Sequence, residues 1–154
     1  MPVEKIQIEP IGFIERTSNN EDVKDRSLIS KVVVNKDLNK ALDGIEDFSH
    51  IFIIFWMHQI SKPDKPILHH PSKIDSQPVG IFATRAPIRP NPIGLTLVEL
   101  LNREKNVLWV KGLDAYDGTP ILDIKPYPNW ERGRFIVVTD FKVPTWLMTI
   151  VKQH

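Results

Sequence analysis

The apolar residues of this chain arrive in many short runs. Proline, glycine and acidic residues cut each run before a long helix can form. "IQIEPIGFIE" (6–15) reads as a strand broken near Pro10, and "KVVVN" (31–35) as a second short one. "SHIFIIFWMH" (49–58) is continuous and rich in Ile and Phe, which predicts a strand buried on both faces. "VGIFATR" (79–85), "GLTLVELLN" (94–102), "NVLWVKGLDAY" (106–116), "GTPILDIKPY" (118–127) and "RFIVVT" (134–139) supply further strands. Helix signals are confined to about Asp37–Leu42, with Gly44 as the stop, and to the tail "VPTWLMTIVKQH". The tail puts Leu147, Ile150 and Val151 on one face, as a packed helix would. Residues 17–27 are polar, and 59–78 hold four prolines, so both read as loops. Closely spaced strands with two short helices predict an all-β barrel or sandwich rather than a βαβ fold.

A length of 154 residues suits one domain, expected to span 1–154. The net charge of +1 does not announce a nucleic-acid binder, so such a role needs a local basic patch. No cysteine is present, which removes thiolate chemistry and suits a reducing cytoplasm. The opening residues carry early acids and no apolar run, unlike a signal peptide. "IFIIFWM" (51–57) is too short to span a bilayer. None of the seven glycines forms a G-x-G pair, so a Rossmann fingerprint and a P-loop are missing. The histidines show no H-x-x-x-H spacing. Adjacent His69 and His70 point in different directions, so no metal site is expected.

Three segments carry chemistry. In "IFATRAPIRPNPIGLTLV" (81–98), Pro87, Pro90 and Pro92 push Ala86, Arg89 and Asn91 into extended geometry. Arg85 and Arg89 then project from a stiff loop, and arginine suits planar recognition of carboxylate or phosphate. In "GLDAYDGTPILDIKPY" (112–127), Asp114, Asp117 and Asp123 surround an Asp117–Gly118 turn, with Lys125 and Tyr127 beyond. Those carboxylates serve either turn chemistry and an Asp123–Lys125 ion pair or a ligand's hydroxyls or ammonium. In "FSHIFIIFWMHQ" (48–59), His58 and Gln59 close a strand where barrels place their sites; His58 capping the strand is the alternative.

These segments, in this order, resemble the TsaA-like family of TrmO-type tRNA (adenine-37-N6)-methyltransferases. The likeness runs from about Ile6 to Tyr127, through "IEPIGFIE", "LDGIEDFSHIFIIFWMHQ", "GIFATRAPIRPNPIGLTLVEL" and "GLDAYDGTPILDIKPY". It implies a single-sheeted β-barrel with short peripheral helices that binds S-adenosylmethionine without a Rossmann domain. It also implies a cytoplasmic homodimer acting on tRNA, with no membrane role. Carried over by residue, the cofactor pocket draws on Met57, His58, Arg85, Leu95, Asp117, Gly118, Thr119, Pro120, Ile121 and Leu122. Arg89, Asn91, Lys125 and Tyr127 match motif positions expected on the substrate side. The motifs single out no catalytic base.

The family's usual Pro-Arg-Gln-like loop is replaced by "NNEDVKDRSLIS" (19–30), where Arg26 stands in. Compared with bacterial members, no C-terminal subdomain for docking tRNA is expected. Two readings of other classes stay open. One is a module that binds S-adenosylmethionine without transferring its methyl. The other is a methyltransferase for another small substrate.

Overall fold

A computed structural model describes residues 4–17, 19–60, 68–69, 77–127, 130–131, 134–135 and 140–147. The chain divides into two compact units: residues 1–59 with 93–128, and residues 60–92 with 129–154.

The first unit is a closed antiparallel barrel. Its strands are β1 (Gly12–Arg16), β2 (Ile29–Val34), β3 (His50–Trp56), β6 (Ile93–Glu104), β7 (Val107–Lys111) and β8 (Pro120–Tyr127). Around the barrel they run β1-β2-β7-β6-β3-β8. The mainly β, single-sheeted expectation holds.

Strict alternation drives the closure. Ile14, Val32, Ile51, Ile53, Phe55, Val98, Leu108, Val110 and Ile121 point inward and are fully or almost fully buried. Their neighbours along each strand face out, as the period of two requires. The β3 strand is a correction: its burial alternates, with Phe52, Ile54 and Trp56 only half-covered, rather than being buried on both faces. A small barrel has one inner face, so a continuous apolar run still divides in two.

Two register shifts bend the sheet, between Ile54 and Phe55 against β8 and between Leu100 and Asn102 against β7. β6 and β7 are joined by a two-residue turn, with Lys105 at φ 54°. The seam between β1 and β8 is short, pairing only Gly12 with Ile121 and Phe13 with Pro120. The strand expected from Ile6 begins only at Gly12, leaving Ile6 and Ile8 84% and 54% exposed. Pro10 has no N–H to give a ladder.

The helix expected at 37–42 is a 3-10 helix, Lys36–Leu42, and Gly44 at φ 90° turns the chain into a second one, Ile45–Asp47. Leu38, Leu42 and Ile45 pack on the barrel core. Arg103 of β6 ties this segment down, donating to Asn39 O, Asp43 and Glu46 at 2.9, 3.1 and 2.7 Å. The Glu46 carboxyl is held below its ordinary range, chiefly by a hydrogen bond to its own backbone and further by Arg103.

In the second unit, β4 (Leu68–His69) pairs with β5 (Val79–Gly80), and β9 (Trp130–Glu131) with β10 (Arg134–Phe135). The strand expected over 79–85 therefore stops at Gly80 and turns into a 3-10 helix, Ile81–Ala83. The excursion expected over 59–78 contains β4; its other central residues, 61–67 and 70–76, lie outside the described residues. Helix is present at 145–147, while Ile150 and Val151 of the expected helical face, and 136–139 of the expected last strand, also lie outside them. No helix among the described residues is long and apolar enough to cross a membrane.

Candidate functional site

One end of the barrel gathers most of the expected cofactor residues. β3 ends at Trp56, so Met57 and His58 leave the sheet there, Met57 half-buried against the core and His58 exposed. β8 starts at the same end, because Phe55 pairs with Ile121. Its approach brings the buried Thr119 hydroxyl within 3.3 Å of His58 Nδ1. Pro120 and Leu122 are half-buried, and Ile121 enters the core. Leu95, near the start of β6, sits opposite Ile54 and is exposed on the outer face.

The Asp117–Gly118 turn is held from below. The Gly118 N–H donates to Ile14 O at 2.7 Å, and the Arg16 N–H donates to Asp117 Oδ1 at 2.8 Å. Gly118 has φ 75°, and a Cβ there would meet nothing, so its backbone faces open space. Such a glycine lets a ligand approach the main chain closely.

A buried arginine absent from the expected set organises this turn. The Arg16 guanidinium donates to Leu113 O at 3.2 Å, Ala115 O at 3.1 Å and Asp22 O at 3.3 Å. It thus joins the end of β1, the 20–22 segment and the irregular 112–116 stretch leading to Asp117, where the strand expected over 106–116 has already stopped at Lys111. Arg26 adds a second tie, donating to Gly112 O at 2.9 Å and to Asp114 at 3.2 Å. The divergent 19–30 segment therefore packs beside the 112–117 stretch. Ser27 orders it locally, its hydroxyl donating to Asp25 at 2.6 Å and holding that carboxyl below its ordinary value.

The three carboxylates have separate duties. Asp117 accepts from Arg16; Asp114 takes Arg26 and the Thr96 hydroxyl; Asp123 pairs with Lys125 at 2.9 Å. Lys125 and Tyr127 lie far along β8, opposite Phe52 and His50, with Tyr127 set edge-on to Phe52 at 5.9 Å between ring centroids. At ~3.3 Å per residue they stand roughly 17 and 23 Å from Pro120, so this end of the strand is not part of the cluster at Thr119.

Arg85, Arg89 and Asn91 belong to the second unit. Arg85 does not end a strand; it follows the 81–83 turn. Arg89 is half-buried and folds back, its Nη1 donating to Thr84 O and Ala86 O, both at 3.0 Å. Thr84 adds its hydroxyl to Ile81 O at 2.8 Å. The loop is thus braced by its own arginine as well as by its prolines, and Arg85 lies between the two braced carbonyls. Asn91 is exposed. Arg85 lines a groove of about 400 Å³ with Phe82, Trp146 and Leu147. Phe82 and Trp146 were not singled out by the sequence, because no spacing links residues so far apart.

Truncating Arg89 to Ala removes both braces, each worth about 1 kcal/mol net. Any activity that depends on Arg85 should fall about tenfold, while the melting temperature moves little because the brace lies outside the barrel. Unchanged activity in Arg89→Ala would show that the prolines alone hold the loop.

A six-stranded barrel with a polar cluster at one end and a braced arginine loop defines a ligand-binding β-barrel class rather than a Rossmann enzyme. Residues 19–130 match the family model of the tRNA-methyltransferase O N-terminal domain, and the chain belongs to that family. A probable S-adenosyl-L-methionine-binding protein of Methanothermobacter thermautotrophicus is 40% identical over 128 residues, covering 80% of this chain and 90% of its own length. The tRNA (adenine(37)-N6)-methyltransferase of Mus musculus is 36% identical over 130 residues, which are 77% of this chain but only 30% of the mouse protein. A crystal structure of TrmO matches with a TM-score of 0.70 at 30% identity, over 91% of this chain and 64% of that one.

Proposed function

We propose that the chain is an S-adenosylmethionine-dependent methyltransferase acting on N6 of adenosine 37 of tRNA, a base already carrying a threonylcarbamoyl group. The observation that carries this is the cluster at the barrel end. Met57, the His58–Thr119 pair and the open Gly118 turn offer a sulfur-lined, partly apolar wall beside a hydroxyl, an imidazole and a main chain that a ligand can approach closely. That donor set fits a cofactor with a purine, a ribose and an amino-acid tail. Asp117 and the 118–122 stretch would hold its polar parts, Leu95 would pack against it, and Arg85 would take its carboxylate.

When bound, the cofactor supplies a methyl on a positively charged sulfur. The chain's task is alignment. The N6 lone pair is delocalised into the ring, so the acceptor must be held in line with the carbon–sulfur bond. N6 would take the cofactor's methyl, the sulfur keeping the electron pair of the broken bond, and the N6 proton would pass to a base or to water. Asn91 would contact the acceptor, with Arg89 acting from inside its loop, while Lys125 and Tyr127, far along β8, would meet other parts of the tRNA. An anticodon-loop base is already unpaired, which lowers the cost of presenting it.

The test is to incubate tRNA with the protein and methyl-labelled cofactor and to analyse the nucleosides by mass spectrometry. Label on threonylcarbamoyladenosine supports the reading. Label on unmodified adenosine corrects the substrate, and no label anywhere sinks the enzyme. A non-catalytic binding module is the second reading, favoured by the name of the Methanothermobacter relative. It would bind cofactor yet leave every tRNA unlabelled.

In this reading the chain works as a homodimer. Ile93, Leu95 and Leu97 stand exposed on the outside of β6, directly beside half-buried Trp56, Ile54 and Phe52 of β3. An apolar face of this kind is a common mark of association. Light scattering that returns only the 17.7 kDa monomer at working concentration would exclude it.

A further inference from the structure

Apart from Arg85, the residues of the groove that it lines have no duty in the proposed cofactor site. The groove measures about 400 Å³, within the range of small-ligand pockets, and is lined by Phe82–Ala86, Trp146 and Leu147. The Ile81–Ala83 turn buries Ile81 and leaves Phe82 79% exposed. A phenylalanine so exposed gains almost nothing from packing, yet here it lines a groove with a half-buried tryptophan. The backbone that carries it is braced at Thr84 and Ala86 by Arg89. Two aromatic rings lining one groove, one of them on a braced backbone, with a guanidinium beside them, suit a flat heteroaromatic ring that bears an anionic group.

We propose that this groove seats the acceptor base of the RNA, with Phe82 and Trp146 as its stacking surfaces. The inference rests on the reading of the chain as a tRNA methyltransferase, and extends it by naming where the base is held. A purine with a carboxylate describes both the cofactor and the modified acceptor. The acceptor is favoured because neither aromatic residue is among those the family motifs assign to the cofactor. Splayed single-stranded bases also take exposed aromatic rings as platforms. A base stacked there shares one groove with Arg85, so the acceptor lies beside the group that anchors the donor's carboxylate.

The experiment uses the full chain and two ligands. Binding of an anticodon stem–loop RNA is followed by fluorescence anisotropy, and binding of S-adenosylhomocysteine by calorimetry. Phe82→Ala should weaken RNA binding on the order of tenfold, Trp146→Ala should do likewise, and Phe82→Tyr should restore it. Cofactor affinity should stay within about twofold in all three, and the exposure of Phe82 leaves the fold intact in its variants. RNA affinity unchanged in Phe82→Ala overturns the proposal, as does a wild-type chain that does not bind the stem–loop. An equal loss of cofactor affinity also overturns it, reassigning the groove to the cofactor's own purine. Phe82-dependent RNA binding without methyl transfer would leave the groove standing while the proposed enzyme falls. Normal methylation by Phe82→Ala would do the reverse.

Discussion

Replacing Arg16 with methionine should lower stability by about 3 kcal/mol and loosen the cofactor site with it. The side chain is almost fully buried and donates to the carbonyls of Leu113 and Ala115, themselves buried. Methionine fills similar volume but offers no donor. Two buried carbonyls would then go without the guanidinium, and an unmet buried acceptor costs about 1–3 kcal/mol. For a chain of this length, that is a fall of roughly 6–12 °C in melting temperature. The loss should spread, because the same arginine sets the irregular stretch leading into the Asp117–Gly118 turn. Cofactor affinity, measured by calorimetry well below the new melting point, should fall several-fold. Arg16→Lys should recover part of the stability and little of the geometry. If Arg16→Met melts with the wild type and binds cofactor equally, the arginine is only a spectator of the turn.

Gly12→Ala should be at least as damaging, by a different route. An added Cβ would stand 2.1 Å from the carbonyl oxygen of Val33 and 2.8 Å from the Cα of Val34. Both are backbone atoms of the neighbouring strand, so no side chain can swing aside. β1 must move, and Gly12 is also one of the two β1 positions paired to β8. Overpacking typically costs 1–3 kcal/mol, and a clash with main chain belongs at the upper end, about 3 kcal/mol. Opening of the seam should show as faster amide exchange in β1 and at Ile121. Gly80→Ala is the control: its Cβ would meet nothing, so its melting temperature should match the wild type. Equal melting of both variants would mean that β1 shifts freely.

The barrel strands were legible because burial on one side imposes a period of two, and β6 was read within two residues at each end. The reading failed where a local bond competes with the ladder. "VGIFATR" alternates like a strand, but the Thr84 hydroxyl bonds back to Ile81 O, and such short-range bonds favour a turn. The residues that gather at the barrel end were legible through their motifs. Arg16 was not, since its partners are plain carbonyls whose residue types carry no signal. Phe82 and Trp146 were missed for a related reason: a groove joins them, and no pattern in the chain does. Arg89 was expected to reach outward from its loop, and its inward turn depends on two carbonyls that only folding brings near.

β3 and β6 are hydrogen-bonded neighbours, and Trp56 faces Ile93 across the point of departure. Residues 60–92 therefore form a cassette inserted between two strands that already meet. Doubling the length of such an insert costs only about 0.6 kcal/mol in closure entropy. The cassette, which carries the arginine loop, is thus free to lengthen, shorten or be exchanged while the barrel keeps its register. A lineage with this architecture can change what it modifies by rewriting one insert.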